Sequence, residues 1–159
     1  GRHRAGGLSV LSIDTNILLY AYASKAPQHR PARDFLVRQG ARQDVALSEF
    51  VLTELYVLLR NPSVLEHALS AAQAAAVVQA YRSHPCWQIV GFPPDSRALH
   101  DRMWADVSSA APARRAIFDL RLALCLQAFG VNRLATANGR DFEGLVFSRV
   151  WNPLVEPSD

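Results

Sequence analysis

Lysine is almost missing from this chain: Lys25 is the only one, and arginine makes up the rest of the seventeen cations. Cysteine is scarce as well. Cys86 and Cys125 stand alone, in no metal-ligand spacing, and Cys125 reads as a small core residue in an apolar helical run. A reduced, cytoplasmic chain is therefore expected rather than a disulfide-built one. No apolar run approaches the ~20 residues of a membrane span, so no membrane partner is expected. Gly1 to Gly7, with Arg2, His3 and Arg4 and no long apolar stretch behind them, do not read as a secretory signal. With no initiating Met, residues 1–7 read as an N-terminal tail or a cloning remnant. The fold is expected over residues 8–155 as a single domain.

What is present is apolar residue in quantity. Half of the 159 residues are hydrophobic, which suits one domain with a real core and excludes a disordered chain. The reading turns on Ser12-Ile13-Asp14-Thr15-Asn16. Residues 8–13 form an apolar run of strand length that stops at Asp14, and a helix-periodic stretch, 14–24, follows. An acid at the carboxyl end of a first parallel strand sits where open α/β sheets bind ligands. Asp is also a favoured helix N-cap, which is the plainer explanation of Asp14.

Further along, Pro31 suits the first turn of a second helix that ends near Gln39-Gly40. Residues 44–47 read as a second strand. Ser48 caps a helix to Arg60, ended by Asn61-Pro62, and Ser70 opens an Ala-rich helix to about Ser83. Residues 87–92 read as a third strand and 95–107 as a helix, followed by a small-residue loop, 108–112. The most apolar helix spans 114–129 and is ended by Gly130. Strands over 131–136 and 149–151 complete the pattern. Strands alternating with helices predict an α/β fold: a parallel sheet of four to five strands covered by helices on both faces.

Two acids lie where their neighbours are apolar. Glu54 has Phe50, Val51, Val57 and Leu58 at helical spacing and no cation within a turn. A carboxylate so placed costs several kcal/mol, on the order of what an unpaired polar group costs, unless it is paired or bound to metal. A narrow solvent-facing stripe is the alternative. Asp119 sits in Ile117-Phe118-Asp119-Leu120, where Arg115 four residues earlier offers a surface ion pair instead. Beyond the 131–136 strand, Thr136, Asn138 and Asp141 form a polar cluster that an Asn-Gly turn would also explain. Taken together, four acids from distant turns would make an oxygen-lined cup for a hard divalent cation, Mg²⁺ or Mn²⁺. Removing them from the surface charge changes a net +3 to +7, seventeen cations against the ten remaining acids. Arg suits bidentate phosphate contact, so a polyanionic partner is expected.

In these pieces the chain resembles the PIN-domain ribonucleases, in particular the VapC toxins of bacterial toxin–antitoxin pairs. The resemblance spans roughly residues 9–154. It rests on IDTNILLYAY at 13–22, LTEL at 52–55, IFDLRLALCLQAFG at 117–130, LATANGRDFEGL at 134–145 and WNPL at 151–154, in this order and spacing. It implies a PIN-like three-layer domain with Asp14, Glu54 and Asp119 as the main acidic site residues. Thr15 and Asn16 belong to the first motif, and Thr136 orients the site by hydrogen bonding. Many relatives carry Asp two residues after that Thr, where this chain has Asn138. Another form of the motif has Asn there and an acid three residues later, which matches Asp141.

The implied reaction is hydrolysis of RNA phosphodiesters assisted by Mg²⁺ or Mn²⁺, leaving a 5′-phosphate. Arg114, Arg115, Arg121 and Arg140 lie close in sequence to the acids and are expected to contact RNA phosphates, Arg114 and Arg115 foremost. Trp104 could stack a base, although its spacing from His100 and Val107 reads as core. The resemblance also implies a homodimer and a VapB-like antitoxin. Two rivals stand beside it. A haloacid-dehalogenase-like phosphatase wants a second Asp two residues after the first, where this chain has Asn16. A non-catalytic PIN-like binding module would have lost acids.

Overall fold

The computed structural model describes residues 9–157. The expectations for residues 1–7 and for Leu8 lie outside the described residues. Elements follow in the order β1 (Val10–Ile13), α1 (Thr15–Tyr22), α2 (His29–Gln39), β2 (Ala46–Ser48), α3 (Glu49–Leu59), α4 (Ala71–Arg82), β3 (Gln88–Val90), α5 (Ser96–Ala110), α6 (Ala116–Ala128), β4 (Val131–Ala135), a short 3₁₀ helix (Gly139–Phe142) and β5 (Arg149–Trp151). All strand pairs are parallel. β4 lies between β1 and β5, and β2 pairs with β3. The two groups meet through one parallel bridge, Leu11 to Val45, and a 2.8 Å hydrogen bond from Leu11 N–H to the Asp44 carbonyl. The strands thus run β3-β2-β1-β4-β5. The chain leaves β1 on one side for β2 and β3, then returns to β4 on the other. That reversal opens a crevice at the carboxyl ends of β1 and β4.

Period-2 alternation splits the strands between two cores. Leu11, Ile13, Val45, Leu47, Ala135 and Trp151 point to one face, against Ile17 and Leu18 of α1, Phe35 of α2 and Val51, Leu52, Leu55 and Leu59 of α3. Ala46, Val90 and Leu134 point to the other, with Leu126 of α6 and Phe142 of the 3₁₀ helix. Leu99 and Met103 of α5 pack on Leu124 and Cys125 of α6 behind it. Helices therefore cover both faces, as the alternation predicts. Cys86 and Cys125 are free thiols. Among the described residues no helix is long and apolar enough to cross a membrane.

Local signals mark most boundaries. Ser48 accepts a 3.0 Å hydrogen bond from Phe50 N–H at the start of α3, and Ser70 and Gln73 close a reciprocal capping box on α4. Gly130, at φ +84°, takes the left-handed conformation that ends α6. Two expectations need correction. Gly40 ends α2 in ordinary helical conformation, φ −61°, so its freedom is not used. α2 begins at His29, which places Pro31 in its first turn as expected. α5 continues past Val107 to Ala110, where Ala111 at φ 47° stops it; the Ser109 hydroxyl bonds back to the Ala105 carbonyl at 3.0 Å and stays within the helix.

Candidate functional site

β1 delivers Asp14 to the crevice, where the carboxylate is 9 % exposed. Its backbone N–H is held by the Ala135 carbonyl at 2.9 Å, so the end of β4 fixes the end of β1. One carboxylate oxygen, Oδ1, accepts from Thr15 N–H at 2.8 Å. Asp14 is thus a helix cap, but of the first helical residue only. Oδ2 points the other way and accepts a 2.7 Å hydrogen bond from the Thr136 hydroxyl and a 3.4 Å one from Asn16 Nδ2. The Thr136 oxygen in turn accepts from Asn138 N–H at 3.0 Å and Asn16 Nδ2 at 3.3 Å. With its acceptor capacity used, the buried hydroxyl has its proton committed to Asp14. Asn16 Oδ1 accepts from Ala137 N–H at 3.0 Å, which ties the first turn of α1 to the loop after β4.

Glu54 comes from α3. The core side of that helix is Val51, Leu52, Leu55 and Leu59, so Glu54 does not sit among buried apolar neighbours as its spacing suggested. It is exposed at the cleft wall, and its Oε2 accepts a 3.2 Å hydrogen bond from the Thr15 hydroxyl. Asp119 projects from the first turn of α6. The ion pair that Arg115 offered it is not made; Arg115 lies over the Phe118 ring instead, 5.6 Å from its centroid. Asp141 rides on the 3₁₀ helix, which Phe142 anchors by burying its ring, 2 % exposed. The Asn-Gly turn reading of this segment misses that helix. Asn138 is exposed, contributes only its backbone N–H to the network and does not line the cleft.

Asp14, Glu54, Asp119 and Asp141 line one cleft of about 1010 Å³, together with Arg115, Arg121 and Arg140. Arg114 does not line it. Trp104 is 58 % exposed on α5, so it is not core, and it lies outside the cleft. The residues that sequence reasoning passed over are Phe50 and Phe118, both in the cleft wall. The available signal was Phe118 itself, a large apolar side chain next to a cleft acid on the same helix.

Electrostatics separate these acids from the rest. Asp44, gripped by Arg42 at 2.6 Å and Arg133 at 3.3 Å, has its pKa lowered, chiefly by the hydrogen bond from Arg42. Asp14, Glu54 and Asp119 go the other way. Burial raises the Asp14 pKa against the pull of Thr136, and the Asp141 charge adds to the rise. Desolvation and then the Asp14 charge raise Glu54. Asp119 is pushed up to about 6, by desolvation first and then by Asp141, Asp14 and Glu54. Among the described residues none of the four is in a salt bridge. Like charges without a cation favour protonation, and a bound cation would relieve them. The donor set, carboxylate oxygens alone, suits a hard divalent ion. Among the described residues no three such side chains already close around a metal position.

The chain is similar to known proteins over most of its length. The family model of the PIN domain matches residues 11–143. Ribonuclease VapC24 of Mycobacterium tuberculosis is 44% identical over 146 residues, which cover 92% of this chain and 98% of that protein. Among solved structures, VapC20 of Mycobacterium tuberculosis, described as a sarcin-ricin loop cleaving toxin, superposes with a TM-score of 0.62 at 18% identity, covering 86% of this chain and 96% of that one. VapBC2 of Rickettsia felis, bound to a DNA fragment from its promoter, gives 0.63 at 17% identity over 90% and 98%.

Proposed function

This chain belongs to the PIN-domain family, among its VapC ribonucleases, and we propose that it is the toxin of a toxin–antitoxin pair that hydrolyses RNA phosphodiesters with Mg²⁺ or Mn²⁺. The observation that carries the reading is the cleft that gathers four carboxylates from β1, α3, α6 and the 3₁₀ helix, where desolvation and neighbouring negative charge raise the pKa of Asp14, Glu54 and Asp119. Asp14 and Asp119 would hold the ion directly. Mg²⁺ binds through one or two carboxylates and keeps several waters, so the open spacing of these side chains suits it. When bound, the ion supplies a Lewis acid that lowers the pKa of water and offsets charge gathering on the phosphate oxygens.

The chain's own groups do the rest. Water attacks the phosphorus, the bond to the 3′ oxygen breaks, and the products are a 3′-hydroxyl and a 5′-phosphate. Glu54, open to the cleft and with a raised pKa, accepts the proton of that water. The Thr136 hydroxyl holds Asp14 in one orientation. Asp141, rather than Asn138, is the fourth site acid. Arg115, Arg121 and Arg140 meet phosphates in the cleft. Intact acids favour this reading over a non-catalytic module. The phosphatase reading lacks its second Asp, since Asn16 stands there and its amide is engaged by Ala137 and Thr136. The VapBC relative supports a VapB-like antitoxin partner, whose arginine could close the acidic cleft. A homodimer and a cytoplasmic setting complete the proposal.

The test is direct. Purified protein incubated with cellular RNA should yield new 5′-phosphate ends with Mg²⁺ or Mn²⁺ and none with chelator; cleavage indifferent to chelator would remove the metal from the reaction. A finer check uses Thr136→Val, which keeps the buried shape. Thr136 is the largest influence lowering the Asp14 pKa, so its loss should raise that pKa further. The acidic limb of the kcat/KM profile should move to higher pH and the rate fall by roughly 10- to 100-fold, as when a ligand loses its supporting hydrogen bond. An unmoved limb would show that the hydroxyl does not tune Asp14.

A further inference from the structure

Phe118 is an aromatic ring left in water on the wall of an acidic cleft. It is 56 % exposed, lines the same cleft as Asp119, and has the Arg115 guanidinium 5.6 Å from its centroid. The core does not require it there, because α6 buries Ala123, Leu124, Cys125 and Leu126 instead. Arg121, three residues further along, also lines the cleft and lies 5.5 Å from the Phe50 ring, so cation–ring pairs stand on both sides of Phe118 in the sequence of α6. A flat apolar face among guanidinium groups matches one chemistry closely: unpaired nucleotides, whose bases stack on rings and guanidinium planes while their phosphates meet cations.

We propose that Phe118, with Arg115 against its ring, stacks an unpaired nucleobase beside the scissile phosphate. The inference rests on the ribonuclease reading of this cleft. A base inside a duplex has both faces covered by its neighbours and cannot offer one to Phe118. RNA is favoured over a second copy of the chain as the occupant, since three arginines line the cleft beside the ring to meet phosphates while its four acids form the proposed metal site.

The probe is a fluorescently labelled, unstructured RNA oligonucleotide, bound in chelator so that it stays intact and followed by anisotropy. Phe118→Ala should weaken binding by about 5- to 150-fold, the range for losing one stacked base. Phe118→Leu, which keeps the apolar bulk, should lose nearly as much, and Phe118→Trp should restore it. An oligonucleotide made abasic at the stacked position should bind the natural protein as weakly as Phe118→Ala binds the intact one, with no further loss when the two changes are combined. The same sequence annealed to its complement should not distinguish Phe118 from Ala. Equal affinities across the variants would overturn the proposal. So would a Phe118→Ala change in solution mass by light scattering with RNA affinity unaltered, which would give this surface to a second copy. A protein that neither binds the RNA nor cuts it with metal would overturn the ribonuclease reading itself, a different outcome from RNA binding indifferent to Phe118.

Discussion

Asp14→Asn should lower metal-dependent RNA cleavage by about a thousandfold or more while leaving the fold in place. Several kcal/mol of transition-state stabilisation attributed to a metal centre corresponds to a factor of that order, and Asp14 is the proposed ligand most firmly built into the sheet. The structural cost should be small. Asn can still accept the 2.8 Å hydrogen bond from Thr15 N–H with its remaining oxygen. Its amide would face Thr136, whose oxygen already accepts from Asn138 and Asn16, so the hydrogen bonds that Oδ2 accepts from Thr136 and, at 3.4 Å, from Asn16 are both lost, at about 1 kcal/mol each. Against that, removing a carboxylate whose charged form is penalised by burial is stabilising. Thermal denaturation should therefore place the variant within a few degrees of the natural protein. Full cleavage by a folded Asp14→Asn protein would take Asp14 out of the mechanism.

The second large effect is a coupling of pH, stability and metal. An acid whose folded pKa is raised binds protons more readily folded than unfolded, so it destabilises the fold once ionised. Its cost is absent below the unfolded pKa and grows as pH rises through the folded one. For Asp119 that window runs from 3.8 to about 6, and Asp14 and Glu54 act in the same direction. Asp44 acts oppositely, because its lowered pKa stabilises the fold above 3.8 and that stability is lost as pH falls. In chelator the melting temperature should thus decline between about pH 4 and 6. Asp119, partly open to solvent, contributes about 1 kcal/mol after screening, or about 2–4 °C for a chain of this size. Mg²⁺ or Mn²⁺ competes with protons for the same oxygens. Added metal should raise the melting temperature clearly above the upper pKa and hardly at all at the acid end. A metal effect as large at about pH 4.5 as at neutral pH would show that the ion binds elsewhere.

Much of this was legible along the chain, and the misses have definite causes. Parallel α/β architecture followed from strands alternating with helices, and Ser48, Ser70 and Gly130 marked boundaries because their backbone and side-chain chemistry acts within a turn. The failures came where one helical position had two partners to choose from. Spacing placed Trp104 in the core, yet Leu99 and Met103 take the inner face of α5 and leave it in solvent. Spacing also surrounded Glu54 with apolar residues, some of which prove to be cleft wall. Arg115 could reach Asp119 or Phe118 by pattern alone; the fold gives it the ring.

The order of polar and apolar residues by itself determined which segments are strands and helices and that Asp14 ends the first strand. Those properties depend on contacts a few residues long. Only tertiary structure decided that residues 14, 54, 119 and 141 share a cleft, that Asp141 rather than Asn138 enters it, and that Phe118 stays in water there. Such meetings depend on how parallel crossovers return the chain to the same sheet edge, and no local pattern encodes the distance between turns so far apart in sequence.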